Sequence, residues 1–239
     1  MGKAGEVLAR AKLTVSLRVT GVRADGYHLI DAEMVTLDLA DELTFEDGTG
    51  LEVVGATGLP IPTDESNLVT KAMRAVGRDA HVKLTKRIPA GAGLGGGSAD
   101  AAAVLRWAGN DDVALAASLG ADVPFCVVGG RARVQGIGEQ ITPLPHEERT
   151  YTLLTPPFGV STPAVYRAWD ELGGPRAEGP NDLEPAATKV EPRLTEYRDQ
   201  LGDATGRTPT LAGSGSTWFV EGAHPGPGRL VTRTTPAPE

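Results

Sequence analysis

Alternation of apolar and polar positions predicts β-strands through much of the chain. Residues 12–19 place an apolar side chain at every second position, which is typical of a strand that buries one face. Residues 21–28 interrupt this pattern with two glycines and predict a turn-rich loop. Comparable segments predict further strands at residues 33–39, 42–46, 51–54, 81–86, 151–155 and 218–220.

Longer segments rich in helix-forming residues predict five helices. They lie at residues 67–76, 98–107, 112–119, 163–172 and 192–201. Asp64 and Ser66 precede the first of them as capping residues. Asp100 lies in the first turn of the second, where the helix dipole favours a negative charge.

Three less regular segments complete the pattern. Residues 125–128 and 131–134 predict a β-hairpin around a Gly-Gly pair. The proline-rich residues 142–146 are the best candidate for a domain junction. The tail after Gly222 is rich in Pro, Gly and Thr, and its composition predicts partial disorder.

Strands and helices mix in both halves of the chain, which indicates an α+β protein with two lobes. We place the boundary at the proline-rich segment. The predicted lobes are therefore residues 1–146 and residues 147–239.

The composition restricts the classes of function. A formal net charge of −8 argues against non-specific nucleic-acid binding, which depends on a basic surface. No segment approaches the ~20 apolar residues that a membrane helix needs. The single Cys126 excludes an internal disulfide, and the four His residues have no metal-ligand spacing. We expect a cytoplasmic protein, monomeric or weakly dimeric, that binds neither nucleic acid nor membrane.

The strongest local signal is a glycine-rich loop. Five of the seven residues from Gly91 to Gly97 are glycine, so backbone N–H groups can surround an anion at close range. The helix predicted from Ser98 adds unpaired N–H groups and the positive end of a dipole. The alternative is a flexible connector between a strand and a helix.

Three well-known nucleotide-binding patterns fit this loop poorly. No Gly-Lys-Ser/Thr closes it, which excludes a Walker A motif. Gly91, Gly93 and Gly96 satisfy G-x-G-x-x-G, but a helix continues toward Asp111 where a Rossmann unit needs a strand. No His-Arg-Asp or Asp-Phe-Gly segment follows, which excludes a protein kinase.

The complete run from Pro89 to Ala102 resembles the phosphate-binding motif of the GHMP kinases. Further segments that resemble this family, in the family's order, lie at residues 11–13, 23–28, 86–89, 119–125, 136–139, 160–166, 179–184 and 211–217. The resemblance implies a GHMP kinase fold, with an N-terminal lobe like domain 2 of ribosomal protein S5 and a ferredoxin-like C-terminal lobe. It also implies ATP and Mg²⁺ as cofactors.

The resemblance is closest to the family members that phosphorylate the 2-hydroxyl of a cytidyl diphosphate alcohol in non-mevalonate isoprenoid precursor synthesis. It implies that Asp122 accepts the hydroxyl proton, and that Lys12 hydrogen-bonds the same hydroxyl and offsets developing charge. It implies that Ser98 can contact Mg²⁺. The residues implied to bind ATP are Asn67, Lys86, Gly91, Gly93, Leu94, Gly95, Gly96, Gly97 and Ser98.

The same resemblance implies a pocket for the acceptor substrate. Tyr27 and His28 would hold the cytosine ring by stacking and by hydrogen bonds. Thr14 stands where the family usually has Asn, and its hydroxyl offers one group where an amide offers two. The residues implied to bind the substrate are Thr14, Tyr27, His28, Ile137, Thr162, Pro163, Tyr166, Gly213, Ser214 and Gly215.

Two alternatives to this function stay open on the sequence alone. Another GHMP kinase, acting on a sugar or on homoserine, would share the glycine loop but has no use for a cytosine clamp at Tyr27 and His28. A catalytically inactive nucleotide-binding relative would have no need of Lys12 and Asp122.

Overall fold

The computed structural model describes residues 5–55 and 60–238 of the chain. Residues 1–4, 56–59 and 239, which belong to the two predicted lobes, lie outside the described residues. Strands and helices alternate along the chain, and the strands form two β-sheets. This mixture confirms the α+β class. The division into lobes at residue 146 stays a prediction.

Two long paired strands form the centre of the first sheet. Strands β1 (Glu6–Val22) and β2 (His28–Glu46) run antiparallel along nearly their whole lengths. The two strands expected at residues 33–39 and 42–46 are therefore one continuous strand. The sheet is completed by β3 (Gly50–Val54), β4 (His81–Thr85), β5 (Arg131–Gly136) and β6 (Gln140–Leu144). Along the edge of β2 that faces away from β1, its first half pairs with β5 and its last residues pair with β4.

Four helices accompany the first sheet: α1 (Leu68–Ala75), α2 (Gly96–Trp107), α3 (Val113–Leu119) and α4 (Val123–Val128). Helix α2 is central, and its residues from Ala99 to Leu105 are all buried. Most of these side chains are alanine, so the helix approaches its neighbours closely along β1 and α4. This packing fixes the position of the helix N-terminus, where the glycine loop ends.

The second sheet has the strand order β10-β7-β9-β8, with every pair antiparallel. Its strands are β7 (Thr150–Leu154), β8 (Thr210–Leu211), β9 (Trp218–Glu221) and β10 (Arg229–Arg233). Three helices belong to this half: α5 (Thr162–Glu171), α6 (Glu184–Val190) and α7 (Leu194–Thr205).

The two sheets share a hydrophobic core. Leu13 and Leu37 of the first sheet pack in one buried cluster with Tyr151, Leu153 and Phe219 of the second. Asp182 adds polar contacts, because its carboxylate accepts a hydrogen bond from the Val19 N–H at 3.0 Å and pairs with Arg18 at 2.6 Å. These contacts hold the segment before α6 against β1.

The β-hairpin predicted at residues 125–128 and 131–134 is absent, so that prediction is wrong. Residues 123–128 form helix α4, with Pro124 in its first turn, and only residues 131–136 form a strand. The helix is buried on nearly every side, from Val123 to Val127. A short, uniformly apolar run has no periodicity that separates a buried helix from a buried strand.

The partial disorder predicted for the tail is wrong for residues 229–233, while the domain junction at the proline-rich segment stays a prediction. Residues 140–144 form the edge strand β6, where Pro143 is tolerated because an edge strand needs fewer ladder hydrogen bonds. Residues 229–233 form strand β10, paired along its length with β7. Within residues 5–55 and 60–238, no helix is both long and apolar enough to cross a membrane.

Candidate active site

The glycine loop opens into a cavity of about 590 Å³ that is lined by β1, β2, α5 and the loops around them. Fourteen of the predicted site residues line it: Lys12, Thr14, Tyr27, His28, Gly93, Gly95, Ser98, Asp122, Ile137, Thr162, Pro163, Tyr166, Gly213 and Ser214. Seven others do not: Asn67, Lys86, Gly91, Leu94, Gly96, Gly97 and Gly215. All the residues expected to contact the acceptor except Gly215 therefore lie with the expected catalytic pair in one cavity.

The glycine loop has a backbone that requires glycine. Gly91, Gly93 and Gly95 have φ angles of +72°, +77° and +68°, a region that other residues rarely adopt. Gly95 is the N-cap of α2, so the free N–H groups of the helix start follow directly. The loop thus ends in an arrangement that favours phosphate groups.

The second glycine segment, residues 213–215, packs directly on the first. A Cβ on Gly93 would lie 2.6 Å from the carbonyl oxygens of Ala212 and Gly215. The Thr217 N–H donates to the Ala92 carbonyl at 3.1 Å. Each loop therefore fixes the path of the other.

Lys12 and Asp122 form an ion pair inside the cavity. The Nζ of Lys12 lies 3.2 Å from Oδ2 of Asp122, and the two side chains are 7% and 33% exposed. Lys12 also donates to Thr14 Oγ1 at 3.1 Å. A Cβ on Gly95 would lie 2.7 Å from Lys12 Cγ, so the loop and the lysine stem are in close contact.

Asp122 precedes α4 but does not cap it. Its carboxylate makes no hydrogen bond to the helix N–H groups, which removes the capping role as an explanation for this residue. The loop after β5 packs against the residue before Asp122, because a Cβ added to Gly138 would lie 2.5 Å from the Ala121 carbonyl oxygen. Ile137 belongs to the same loop, and its N–H donates to Glu139 at 2.6 Å.

Lys86 lies beneath the glycine loop in a buried group with two carboxylates. Its ammonium bonds to Asp41 and, at 2.8 Å, to Asp100. Burial lowers the pKa of Lys86, but the two carboxylates raise it by more, so the net shift is upward. Asp41 also accepts the N–H of Ile88 at 2.8 Å. This group links β2, the start of the loop and helix α2.

Asn67 caps helix α1. Its side-chain oxygen accepts the Val69 N–H at 2.8 Å, and its amide donates to the Pro62 carbonyl at 2.6 Å. The polar groups of Asn67 and of Lys86 are thus committed to the protein itself. Each side chain therefore has a structural role next to the loop, and its predicted contact with the nucleotide stays a prediction.

Asp100 carries an unpaired oxygen in this buried group, since Oδ1 has no hydrogen-bond partner. Burial raises the pKa of the Asp100 carboxyl. The ammonium of Lys86 lowers this pKa and the charge of Asp41 raises it, and the resulting pKa is about 7. The folded protein therefore holds a proton on Asp100 at pH values where the unfolded chain has released it. The stability contributed by this group falls as the pH rises from about 4 toward about 7.

We predict that Asp100→Asn stabilises the protein more at pH 8 than at pH 5. The amide stays neutral at both pH values, and Lys86 keeps Asp41 as its partner. Urea unfolding midpoints of both proteins at the two pH values measure the difference. If the midpoints of the variant and the wild type differed by the same amount at pH 5 and at pH 8, the raised pKa of Asp100 would be contradicted.

A second set of side chains forms an aromatic clamp at the other end of the cavity. The His28 ring stacks on Tyr166 with centroids 4.6 Å apart and meets the edge of Trp169 at 5.6 Å. His28 Nε2 lies 2.8 Å from Oδ1 of Asp170. Burial, and then the charge of Asp122, raise the pKa of Tyr166, so its hydroxyl stays protonated. Tyr27 is 59% exposed, and the Arg23 guanidinium lies over its ring, 5.6 Å from the centroid.

The cavity also has a polar side formed by the second glycine segment. Thr162 Oγ1 and Ser214 Oγ lie 2.8 Å apart, which connects the start of α5 to this segment. Asn181 is 1% exposed and donates to the carbonyls of Leu211 and Gly213 at 2.8 and 2.7 Å. Asn181 therefore holds the turn in place from behind.

Sequence reasoning missed eight residues that line the cavity: Leu17, Gly26, Ile30, Met34, Ala121, Arg167, Asp170 and Leu183. The two charged residues among them, Arg167 and Asp170, lie on α5 in the helical positions that follow Tyr166. A residue one helical turn after an expected aromatic wall faces the same side, and that spacing could have identified Asp170. No local signal marks the others.

Comparison with known proteins agrees with this geometry. The model of the GHMP kinases N terminal domain matches residues 67–130, which include the glycine loop and Asp122. The 4-diphosphocytidyl-2-C-methyl-D-erythritol kinase of Paracoccus denitrificans is 38% identical over 237 residues, covering 88% of this chain and 84% of the relative. Similarity of this extent reaches across both sheets.

Solved structures give the same result. A crystal structure of 4-(cytidine 5'-diphospho)-2C-methyl-D-erythritol kinase superimposes with a TM-score of 0.77 and 33% identity, covering 97% of this chain and all of that one. The homoserine kinase of Cytophaga hutchinsonii, at a TM-score of 0.60 and 19% identity, shares the fold. The chain therefore belongs to the GHMP kinases and, among them, to the family of 4-diphosphocytidyl-2-C-methyl-D-erythritol kinases.

Proposed function

We propose that this chain transfers the γ-phosphoryl group of ATP to the 2-hydroxyl of 4-diphosphocytidyl-2-C-methyl-D-erythritol, a step of non-mevalonate isoprenoid precursor synthesis. The observation that carries the proposal is the placement of three features in one cavity. A phosphate-binding loop, the Lys12–Asp122 pair and the His28–Tyr166 clamp all line it. Two substrates and the reacting groups can thus meet there.

The Lys12–Asp122 pair carries the proton transfer. Asp122 accepts the proton of the attacking hydroxyl, whose oxygen forms a bond to the γ-phosphorus as the bond to the bridging oxygen of ADP breaks. Lys12 donates a hydrogen bond to the same oxygen and faces the charge that develops on the transferring group. Its stem is held by Gly95 and by the backbone bond of Lys12 N–H to the Leu94 carbonyl at 3.0 Å, so the ammonium needs little reorganisation.

The ATP phosphates occupy the glycine loop. Gly93 and Gly95 face the cavity, and the N–H groups from Gly96 to Ser98 begin helix α2. Leu94 is buried, so it acts through its backbone. Gly91 acts through its backbone. Asn67 holds the start of α1, and Lys86 ties the segment before the loop to α2.

The residues present fit a magnesium ion that is held mainly by nucleotide phosphates. Within the described residues, no cluster of three His, Cys, Asp or Glu side chains exists, so no protein cage is available. Mg²⁺ in kinases commonly takes only one or two protein ligands together with phosphates and water. Ser98 would hold the ion beside the loop together with the nucleotide, and the ion would neutralise phosphate charge there.

The acceptor fills the rest of the cavity. Tyr27 and His28 hold the cytosine ring, and Tyr166 with Thr162 and Pro163 forms the facing wall. Ile137 contributes apolar contact beside Asp122. The Gly213–Gly215 segment lies next to Lys12 and Thr14. A Cβ added to Gly213 would lie 3.6 Å from Thr14 Oγ1 and 3.8 Å from Lys12 Nζ. Thr14 and this segment direct the alcohol end of the substrate toward the phosphoryl group.

A turnover assay tests this proposal. Purified protein with ATP and Mg²⁺ is given the cytidyl substrate, homoserine, mevalonate and a sugar. We expect phosphorylation of the cytidyl substrate only. Turnover of another alcohol with none of the cytidyl substrate would identify a different GHMP kinase activity, and bound ATP with no turnover would identify an inactive relative.

A further inference from the structure

One polar contact in the cavity has no part in the proposed transfer. Asp170 and His28 both line the cavity, with Oδ1 and Nε2 separated by 2.8 Å. Asp170 follows Tyr166 by one turn of α5. The side chain of His28 is 9% exposed and that of Asp170 is 49% exposed. The imidazole is therefore held by a ring on one face and by a carboxylate at its edge.

This contact determines which imidazole nitrogen carries the proton. An ionised carboxylate can only accept hydrogen bonds, so Nε2 must be the donor. In a neutral imidazole the other nitrogen, Nδ1, is then an acceptor. Among the residues that the structure describes, the hydrogen bonds of the His28 side chain are limited to the one with Asp170, which leaves Nδ1 available to a ligand.

We propose that Asp170 is a positioning residue that makes His28 an acceptor for the 4-amino group of cytosine and thereby excludes uracil. The proposal rests on the proposed function, because it requires a cytidyl group beside His28. Cytosine presents an amino donor at the ring position where uracil presents a carbonyl acceptor. A uracil carbonyl would face the Nδ1 lone pair, and both acceptors would be left unpaired in a desolvated site.

The variant Asp170→Asn tests this assignment. An amide can either accept from or donate to Nε2, so His28 can adopt either tautomer. We expect the ratio of kcat/KM for the cytidyl substrate to that for its uridyl analogue to fall by roughly tenfold or more, the value of one hydrogen bond. The loss should be in KM for the cytidyl substrate, with kcat kept, because Asp170 touches neither Lys12 nor Asp122.

Glu171→Gln is the matched control. It removes the same charge from the next residue of α5, whose partner is Lys189 at 3.2 Å on the surface. The control should keep the cytidyl preference of the wild type. An equal fall in both variants would mean that charge alone sets the preference, and an unchanged preference in Asp170→Asn would overturn the proposal.

A measurement on the free protein separates this proposal from the proposed function. Nitrogen-15 NMR of labelled histidine at pH 8, where an ordinary imidazole is neutral, reports the tautomer of His28. Its signals are assigned from their loss in His28→Gln. We expect a proton on Nε2 in the wild type and a mixture in Asp170→Asn; a proton on Nδ1 in the wild type would overturn the proposal.

Equilibrium binding of CDP and UDP completes the test without turnover. We expect the wild type to bind CDP more tightly than UDP, and Asp170→Asn to reduce that difference. If the wild type shows this preference but phosphorylates no cytidyl substrate, the proposed function fails and the role of Asp170 stands. Equal binding of the two nucleotides by the wild type would overturn the role of Asp170 even if turnover is observed.

Discussion

Replacing Asp122 by Asn is expected to lower kcat by at least ~10², the usual scale for removing a general base. The amide keeps the size of the side chain but cannot take the hydroxyl proton. ATP should bind as well as before or better, because a negative charge that shares the cavity with the phosphates has been removed. Single-turnover kinetics and ATP titration measure the two effects separately.

The matched control for this change is Asp111→Asn. Asp111 is an exposed carboxylate in the loop before α3 and does not line the cavity. It should leave kcat and stability unchanged, since exposed substitutions away from structural features usually have small effects. If Asp122→Asn retained wild-type kcat, the proposed mechanism would be wrong, and Asp122 would serve only to hold Lys12 in place.

Gly93→Ala should have the largest effect on stability among the site residues. Its φ of +77° costs an alanine about 1–2 kcal/mol. The added methyl would also lie 2.6 Å from two backbone carbonyl oxygens, at Ala212 and Gly215, and backbone cannot move aside as a long side chain can. We expect a total cost of roughly 2–5 kcal/mol from strain and overpacking together.

Both glycine segments should shift in Gly93→Ala, so activity should fall along with the unfolding midpoint. Gly97→Ala is the control for stability, because Gly97 lies within α2 and its Cβ would meet Leu68 at an ordinary 3.6 Å. A helix interior favours alanine over glycine by up to about 1 kcal/mol, and a first-turn position such as Gly97 gains less, so this variant should be about as stable as the wild type. Equal midpoints for both variants would show that the two loops do not constrain each other.

Strand alternation and helix-forming runs predicted most of the elements correctly. The failures have a common physical cause. Helix α4 is apolar on every face, so its sequence lacks a period. Strands β6 and β10 contain or adjoin prolines and follow polar segments, and their pairing with β5 and β7 stabilises them in spite of composition. Tertiary contacts outweighed local propensity in each case.

The site residues divide in a similar way. Those within a recognisable motif, such as Gly93, Ser98 and Asp122, could be named from the sequence. Lys86 could also be named, but the role of its side chain could not, because the two carboxylates that surround it come from distant positions, Asp41 and Asp100. Charge partners that are far apart in sequence leave no local pattern.

The amino-acid sequence alone was enough to identify the phosphate-binding loop, because its glycine density gives the backbone the freedom that an anion site needs. The GHMP type of the loop and the choice of Lys12 and Asp122 for the chemistry followed from the resemblance of several motifs to that family. Three features became visible only in the folded chain: the 3.2 Å between Lys12 and Asp122, the packing of the second glycine segment on the first, and the contact of Asp170 with His28. Such distances arise when the two sheets pack on one core and bring segments together that are more than 100 residues apart.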